Sequence, residues 1–300
     1  MQVQGGLGNQ LFQAAAAYVV SKANHQNQMK LDVSRIPFGT DPTRRLEINQ
    51  FDLFPFGFNT VNEGEKIARF ASFFPQQIGS LVIRGYSFSS NFLGKKGGNI
   101  FLDDKTVESL EKLGSDSILH GYFNDFNIVS RAEKFGFSRE LKLQCEPSKW
   151  ITDVIASVNF GSSAALHIRL GDYLKFPHIF GQLSENFYLE CLDRLEVDFK
   201  DELTIFSDQP NKVANLVPQI SKRPRIRIFR EPAGAASYET FYLMSQFKKI
   251  VCANSTFSMW AAWFNDFHGD SKKVTVPSPY LLTEEDMKTP ESWIKVPRTA

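Results

Sequence analysis

The chain has little cysteine, no long apolar run and almost no net charge, and each shortage removes a class of protein. Its three cysteines, Cys145, Cys191 and Cys252, are widely spaced and odd in number. Neither a disulfide framework nor a zinc site is built that way, so they read as buried free thiols in a reducing compartment. The longest uninterrupted apolar stretch, Ala14 to Val20, falls far short of the roughly 20 residues a membrane helix needs. Basic and acidic residues number 34 and 33, for a formal charge of +1. That balance argues against a broad nucleic-acid or membrane-surface footprint and leaves room only for a local basic pocket. A Gly-rich loop follows the first residues directly, so no secretory signal is expected. Only Met1 to Gln4 precede that loop, which is short for a strand and leaves room for residues upstream. Two locations fit: a cytoplasmic protein, at most peripheral to a membrane, or a catalytic fragment of a membrane-anchored lumenal enzyme.

Missing motifs narrow the chemistry. No Asp-x-Asp occurs, so a divalent ion bridging a nucleotide-sugar diphosphate lacks its usual ligands, and no metal site is expected. No G-x-x-x-x-G-K-[ST] and no G-x-S-x-G occur, which excludes a P-loop enzyme and an α/β-hydrolase elbow.

What is present is a soluble globular composition, 42% hydrophobic and 22% charged over 300 residues, enough for two cores. The C-terminal half alternates strands with helices. Strands are expected at 163–168, 203–206, 225–229 and 250–253 and around Val274 and Val276. Ser184 opens a helix with Phe187, Tyr188, Cys191, Leu192 and Leu195 inward. Pro210 fits the first turn of a helix carrying Val213, Leu216 and Val217. Ser237 caps a helix with Phe241, Met244 and Ser245 inward, and Asn254-Ser255-Thr256 turns into a helix through Met259, Trp260 and Trp263. The alternation predicts an α/β fold with a parallel, doubly wound sheet. The N-terminal half starts the same way: a Gly-rich turn, a helix with Leu11, Phe12, Ala15, Ala16 and Val19 on one side, and a strand through Met29, Leu31 and Val33. Residues 35 to 100, dense in Phe, Pro, Gly and Asn, carry no readable pattern, and α/β character resumes near Ile118 to Tyr122. The division falls between domains 1–150 and 151–300, in a link near 145–160 around Pro147.

Four segments could carry chemistry. Gly5-Gly6-Leu7-Gly8-Asn9-Gln10 lets backbone approach a ligand at a helix N-terminus, which favours an anion, although a tight strand-to-helix turn explains the spacing equally. His167-x-Arg169 places an imidazole and a guanidinium two residues apart on one strand face, where Arg asks for an anion. Ser207-Asp208 ends the next strand with a carboxylate that suits a guanine edge, a ribose or a helix cap. Asn254-Ser255-Thr256-Phe257-Ser258 puts more hydroxyls at a helix start than capping needs. The basic stretch Lys222 to Arg230 alternates with Ile226 and Ile228 and reads as a solvated strand face.

Together these segments resemble the α-1,2-fucosyltransferases, glycosyltransferase family 11. That family shows G-G-L-G-N-Q-L-F-Q, matched by Gly5 to Gln13. Its H-x-R-R-G-D-Y is matched by His167, Arg169, Gly171, Asp172 and Tyr173, its Ser-Asp by Ser207-Asp208, and its N-S-[ST]-F-S-x-W-A-A-W by Asn254 to Trp263. The family's second arginine is Leu170 here, so Arg169 is expected to do the work while Leu170 packs. The resemblance implies a GT-B architecture of two Rossmann-like domains facing a cleft, the acceptor on the N-terminal domain and GDP-β-L-fucose on the C-terminal one. The reaction it implies is fucosyl transfer to the 2-hydroxyl of a terminal β-galactoside, inverting, without metal and without a cofactor. The partners are then a nucleotide-sugar donor and a galactose-terminated glycan acceptor. The donor contacts implied are Gly6, Gly8, Asn9, His167, Arg169, Asp208, Asn254, Ser255, Thr256 and Phe257, with His167 and Asp208 reading guanine. Catalytic roles fall to Arg169, to Asn9 and to Asp172, a base or a loop-fixing carboxylate. Glu239 is a candidate partner for Arg169. Transfer of another GDP-sugar or to another hydroxyl, and an inactive GDP-sugar-binding protein, are the competing functions.

Overall fold

A computed structural model describes residues 1, 3–25, 29–30, 46–52, 56–57, 100–101, 106–114, 117–143, 146–264, 272–282 and 286–298. The chain divides into two compact units, Met1–Cys145 and Glu146–Ala300.

In the first unit α1 spans Leu7–Ala23. Leu11, Phe12, Ala15, Ala16 and Val19 are buried as the pattern requires, but so are Ala14, Ala17 and Tyr18. The helix is enclosed rather than one-sided because neighbours reach it from more than one direction. Phe126, at the start of α2 (Phe126–Lys134), meets Phe12 edge to face at 5.0 Å, and Phe137 meets Tyr18 at 5.2 Å. Asp125 caps α2 by accepting the Asn127 N–H, and Arg131 and Lys134 sit in its last turn, where cations favour the carbonyl end. Met29–Lys30 pairs in parallel with Phe56–Gly57, and Ile118–Leu119 with Ile100–Phe101. Leu31, Val33 and most of 35–100 lie outside the described residues, as does Cys145.

The second unit holds a six-stranded, all-parallel sheet. In chain order come α3 (Lys149–Ser157), β1 (Ser163–Ile168), α4 (Glu185–Arg194), β2 (Glu202–Ser207), β3 (Ile226–Ile228), α5 (Ser237–Ser245), β4 (Lys249–Val251), α6 (Thr256–Trp263), β5 (Lys273–Ser278) and β6 (Ile294–Pro297). The strand order is β6-β5-β4-β1-β2-β3, and every pair runs parallel. The expected α/β, doubly wound sheet is therefore present. All six residues of β1 are buried, as a central parallel strand covered on both faces requires. Leu166, Ile168 and Leu170 join Phe187, Cys191 and Leu192 of α4 and Leu203 and Ile205 of β2 in one core cluster. Leu170 thus packs, as expected from its place beside Arg169.

Three local details differ from the sequence pattern. Ala236, not Ser237, precedes α5, and Ser237 is its first helical residue. Pro210 opens a 3-10 turn, Pro210–Lys212, followed by a single α turn, Val213–Leu216. β6 was not anticipated: it carries Lys295 and Pro297, and an edge strand tolerates both. Cys191 and Cys252 are buried free thiols. Burial pushes Cys191 up to about 12 and Cys252 higher still, so both stay protonated and unreactive.

Candidate functional site

A strand order of 6-5-4-1-2-3 has one reversal point, between β1 and β4. Chains leaving adjacent strands there diverge to opposite sides and open a crevice at the carboxyl ends. The loop leaving β1 carries Arg169, Gly171 and Tyr173, and the loop leaving β4 carries Asn254 and Ser255.

Register sets the first contact. Ile168 is paired with Ser207, so Arg169 and Asp208 leave the sheet level with one another. Arg169 Nη1 lies 2.9 Å from Asp208 Oδ2, with side chains about one-fifth exposed. The Leu170 N–H donates to Asp208 Oδ1 at 2.9 Å. One carboxylate thereby grips both the guanidinium and the backbone that carries it. Gly171 allows this approach: a Cβ there would stand 2.3 Å from Asp208 Oδ2.

Tyr173 joins the two loops. Its ring stacks on Phe180 at 4.1 Å and 6°, and the Arg169 guanidinium lies 5.6 Å from the Tyr173 centroid. Its hydroxyl donates to the Asn254 carbonyl at 2.5 Å, and Asn254 Nδ2 donates to the Phe180 carbonyl at 2.8 Å. Buried Asn254 therefore spends its amide N–H on holding the loops together. His167, inside β1, is buried, with its ring 5.9 Å from that of Phe257. Burial first, and the Arg169 charge second, lower its imidazole to about 3. It is neutral at physiological pH, with Nδ1 buried and lacking a protein partner.

The third component is the start of α6. Ser255 stands just before Thr256 and makes no side-chain cap to the helix, so its hydroxyl is not spent on the helix's own N–H groups. Phe257 bridges the His167 ring and Phe241, the latter at 5.8 Å. Arg169, Asp208, Tyr173 and Asn254 are thus linked through contacts, and His167 and Phe257 through their rings, with Ser255 and Thr256 adjacent in the chain. Asp172 opens the 3-10 turn Asp172–Lys175, and its side chain lies outside the described residues.

Gly6, Gly8 and Asn9 lie in the other unit, at the start of α1. The Leu7 N–H donates to Glu47 Oε2 at 3.1 Å, so the protein's own carboxylate occupies the positive end of the helix. The following glutamines act as struts. Gln10 accepts from the N–H groups of Glu47 and Ile48 and donates to the Gly5 carbonyl. Gln13 accepts from the Gln4 N–H and donates to the Gly121 carbonyl. Glu239 accepts from the Ser148 N–H and the Trp150 indole at 3.0 and 3.2 Å, and Asp208 is a carboxylate paired with Arg169.

The contacts made by Arg169, Asp208, Tyr173, His167 and Asn254 lie within the segment, residues 133–296, that matches the model of Glycosyl transferase family 11. The chain belongs to glycosyltransferase family 11. Its second unit has the Rossmann-like sheet expected of a GT-B enzyme. Over 309 residues it is 27% identical to the O-antigen biosynthesis glycosyltransferase WbnK of Escherichia coli, covering 98% of this chain and 99% of that protein. It is 26% identical to an alpha-1,2-colitosyltransferase of Escherichia coli, covering 98% and 97%. Among solved structures, the E. coli ADP-heptose LPS heptosyltransferase II aligns over 98% of this chain and 89% of that one, at 13% identity and a TM-score of 0.44.

Two residues of this family-11 site were not singled out from sequence. Tyr173 stood in the motif, but its role as a tie between loops depends on Asn254, far along the chain. Arg298 donates to the carbonyls of Phe180 and Tyr280 and so supports the Tyr173–Phe180 stack from behind; nothing in its sequence neighbourhood marks it. Among the described residues no helix is long and apolar enough to cross a membrane.

Proposed function

We propose that this family-11 enzyme transfers L-fucose from GDP-β-L-fucose to the 2-hydroxyl of a terminal β-galactoside, with inversion and without metal or cofactor. The observation that supports this most is the Arg169 guanidinium, held by Asp208 at the reversal point of the sheet and close in fold to the start of α6. Transfer builds negative charge on the leaving diphosphate and positive charge on the sugar ring. A fixed guanidinium offsets the first with charge-assisted hydrogen bonds, and needs little reorganisation as the bond breaks. Ser255, Thr256 and the N–H groups of the first turn of α6 add a helix-end anion site. Neutral His167, with an unpartnered nitrogen beside Phe257, suits a base edge. Asp172 is the carboxylate proposed to take the acceptor proton, a role worth roughly 10²–10⁴-fold.

A second reading follows from similarity to the alpha-1,2-colitosyltransferase: a colitosyl donor in place of fucosyl. The test pairs GDP-fucose, a colitosyl donor, GDP-mannose and UDP-galactose with lactose, N-acetyllactosamine and galactosyl-β-1,3-N-acetylgalactosamine, each with and without EDTA. The expected product is an α-1,2 linkage by NMR, from the fucosyl donor, unchanged by EDTA. Activity lost in EDTA refutes the metal-free claim. GDP binding without transfer to any galactoside identifies a binding protein instead. Arg169→Ala should lower turnover by at least about 10²–10³-fold, the scale of losing one transition-state donor, while circular dichroism shows the fold retained. Near-wild-type turnover in that variant sinks the mechanism.

A further inference from the structure

Asp208 stands where a guanine-reading carboxylate is expected, yet both its oxygens are already engaged by the loop after β1. Oδ2 is 2.9 Å from Arg169 Nη1, and Oδ1 accepts the Leu170 N–H at 2.9 Å. These bonds tie the end of β2 to the first two residues beyond β1. Next to them, Gly171 leaves no room for a side chain, because its Cβ would lie 2.3 Å from Oδ2. We infer that Asp208 is a positioning residue, which sets the angle of Arg169 toward the donor's β-phosphate and does not read the base, and that Gly171 is required for it to do so. The inference rests on the donor reading given above and deepens it.

The physical case is one of geometry. An arginine side chain has many rotamers to lose when it is ordered. A guanidinium that recognises phosphate through a planar fork gains most when its plane is already set. Tyr173, with its ring centroid 5.6 Å from the guanidinium carbon, limits the plane from another direction. Asp208 supplies a charge restraint through its 2.9 Å ion pair and is itself anchored on backbone, so the restraint does not drift with the side chain.

The test measures GDP, GMP, ADP and UDP binding by titration calorimetry on the full chain. The wild-type chain should prefer GDP to GMP and to the other bases. Asp208→Ala should weaken GDP about ten- to a hundredfold, the worth of a hydrogen bond to a charged group, with GMP little changed and the preference for guanine kept. Gly171→Ala should reproduce this pattern, and Asp208→Asn, which keeps an acceptor for the Leu170 N–H, should fall between. In an Arg169→Ala background, Asp208→Ala should add almost nothing. Equal losses for GDP and GMP, a lost preference for guanine, or an undiminished effect without Arg169 would each overturn the inference while leaving the donor reading intact. A wild-type chain with no preference for GDP overturns the donor reading itself, and this inference with it.

Discussion

His167 shows how one position can couple binding chemistry to stability. In the unfolded chain its pKa is near 6.5; in the fold, burial and then Arg169 hold it at about 3. Between these values the unfolded chain binds a proton that the folded one does not. Its contribution to stability is therefore full above about pH 6.5 and is lost as the pH falls toward 3, by up to about tenfold in the folding constant per pH unit. Urea unfolding at pH 7 and pH 5 should show this loss in the wild-type chain and a smaller one in His167→Asn. An identical pH dependence in both assigns the acid sensitivity to other groups. The motif marked His167 and Arg169 because a run of apolar residues delivered them to a strand end. It could not assign their partners: Arg169 meets Asp208 from another strand, and Glu239, nominated from sequence, is bound to Ser148 and Trp150.

At the scale of elements, two serines precede helices and serve different ends. Ser184 Oγ accepts the Phe187 N–H at 3.0 Å and caps α4. Ser255 makes no such bond to α6. Ser184→Ala should lower stability by about 1 kcal/mol, typical of a lost cap, read as a shift in the denaturant midpoint. Ser255→Ala should cost less stability than Ser184→Ala and weaken GDP binding instead. The reverse outcome would return Ser255 to an ordinary cap. Most strands and helices of the second unit were legible because the apolar period switched cleanly between two and 3.6. The exceptions were local: Ala236 took the capping position expected of Ser237, and β6 was hidden by Lys295 and Pro297, which only an edge position tolerates.

For the whole molecule, a donor site at the sheet's reversal point makes folding and nucleotide binding linked quantities. GDP at a hundred times its dissociation constant should add about 2.7 kcal/mol, a rise of roughly 5–10 °C in the midpoint of the transition that includes the second unit. Arg169→Ala should remove most of that rise in a thermal scan. A rise of equal size in the variant at the same GDP concentration would place the nucleotide elsewhere.

Local patterning is enough to read the α/β alternation, the place of the central strand and the residues that follow β1, β2 and β4. Periodicity is a local property, and side chains at a strand end must face the crevice or the core. What those residues touch depends on pairings that exist only once the chain is folded. The register of β1 against β2 brings Arg169 onto Asp208, and the order of strands sets the loops after β1 and β4 side by side, where Tyr173 reaches the Asn254 carbonyl. Enclosure by its neighbours turns α1 from a one-sided helix into a buried one, and a distant Glu47 meets its N-terminus. Pairings between residues 37 to 81 positions apart carry no local signature. They follow from which surfaces must be buried together once the whole chain is folded.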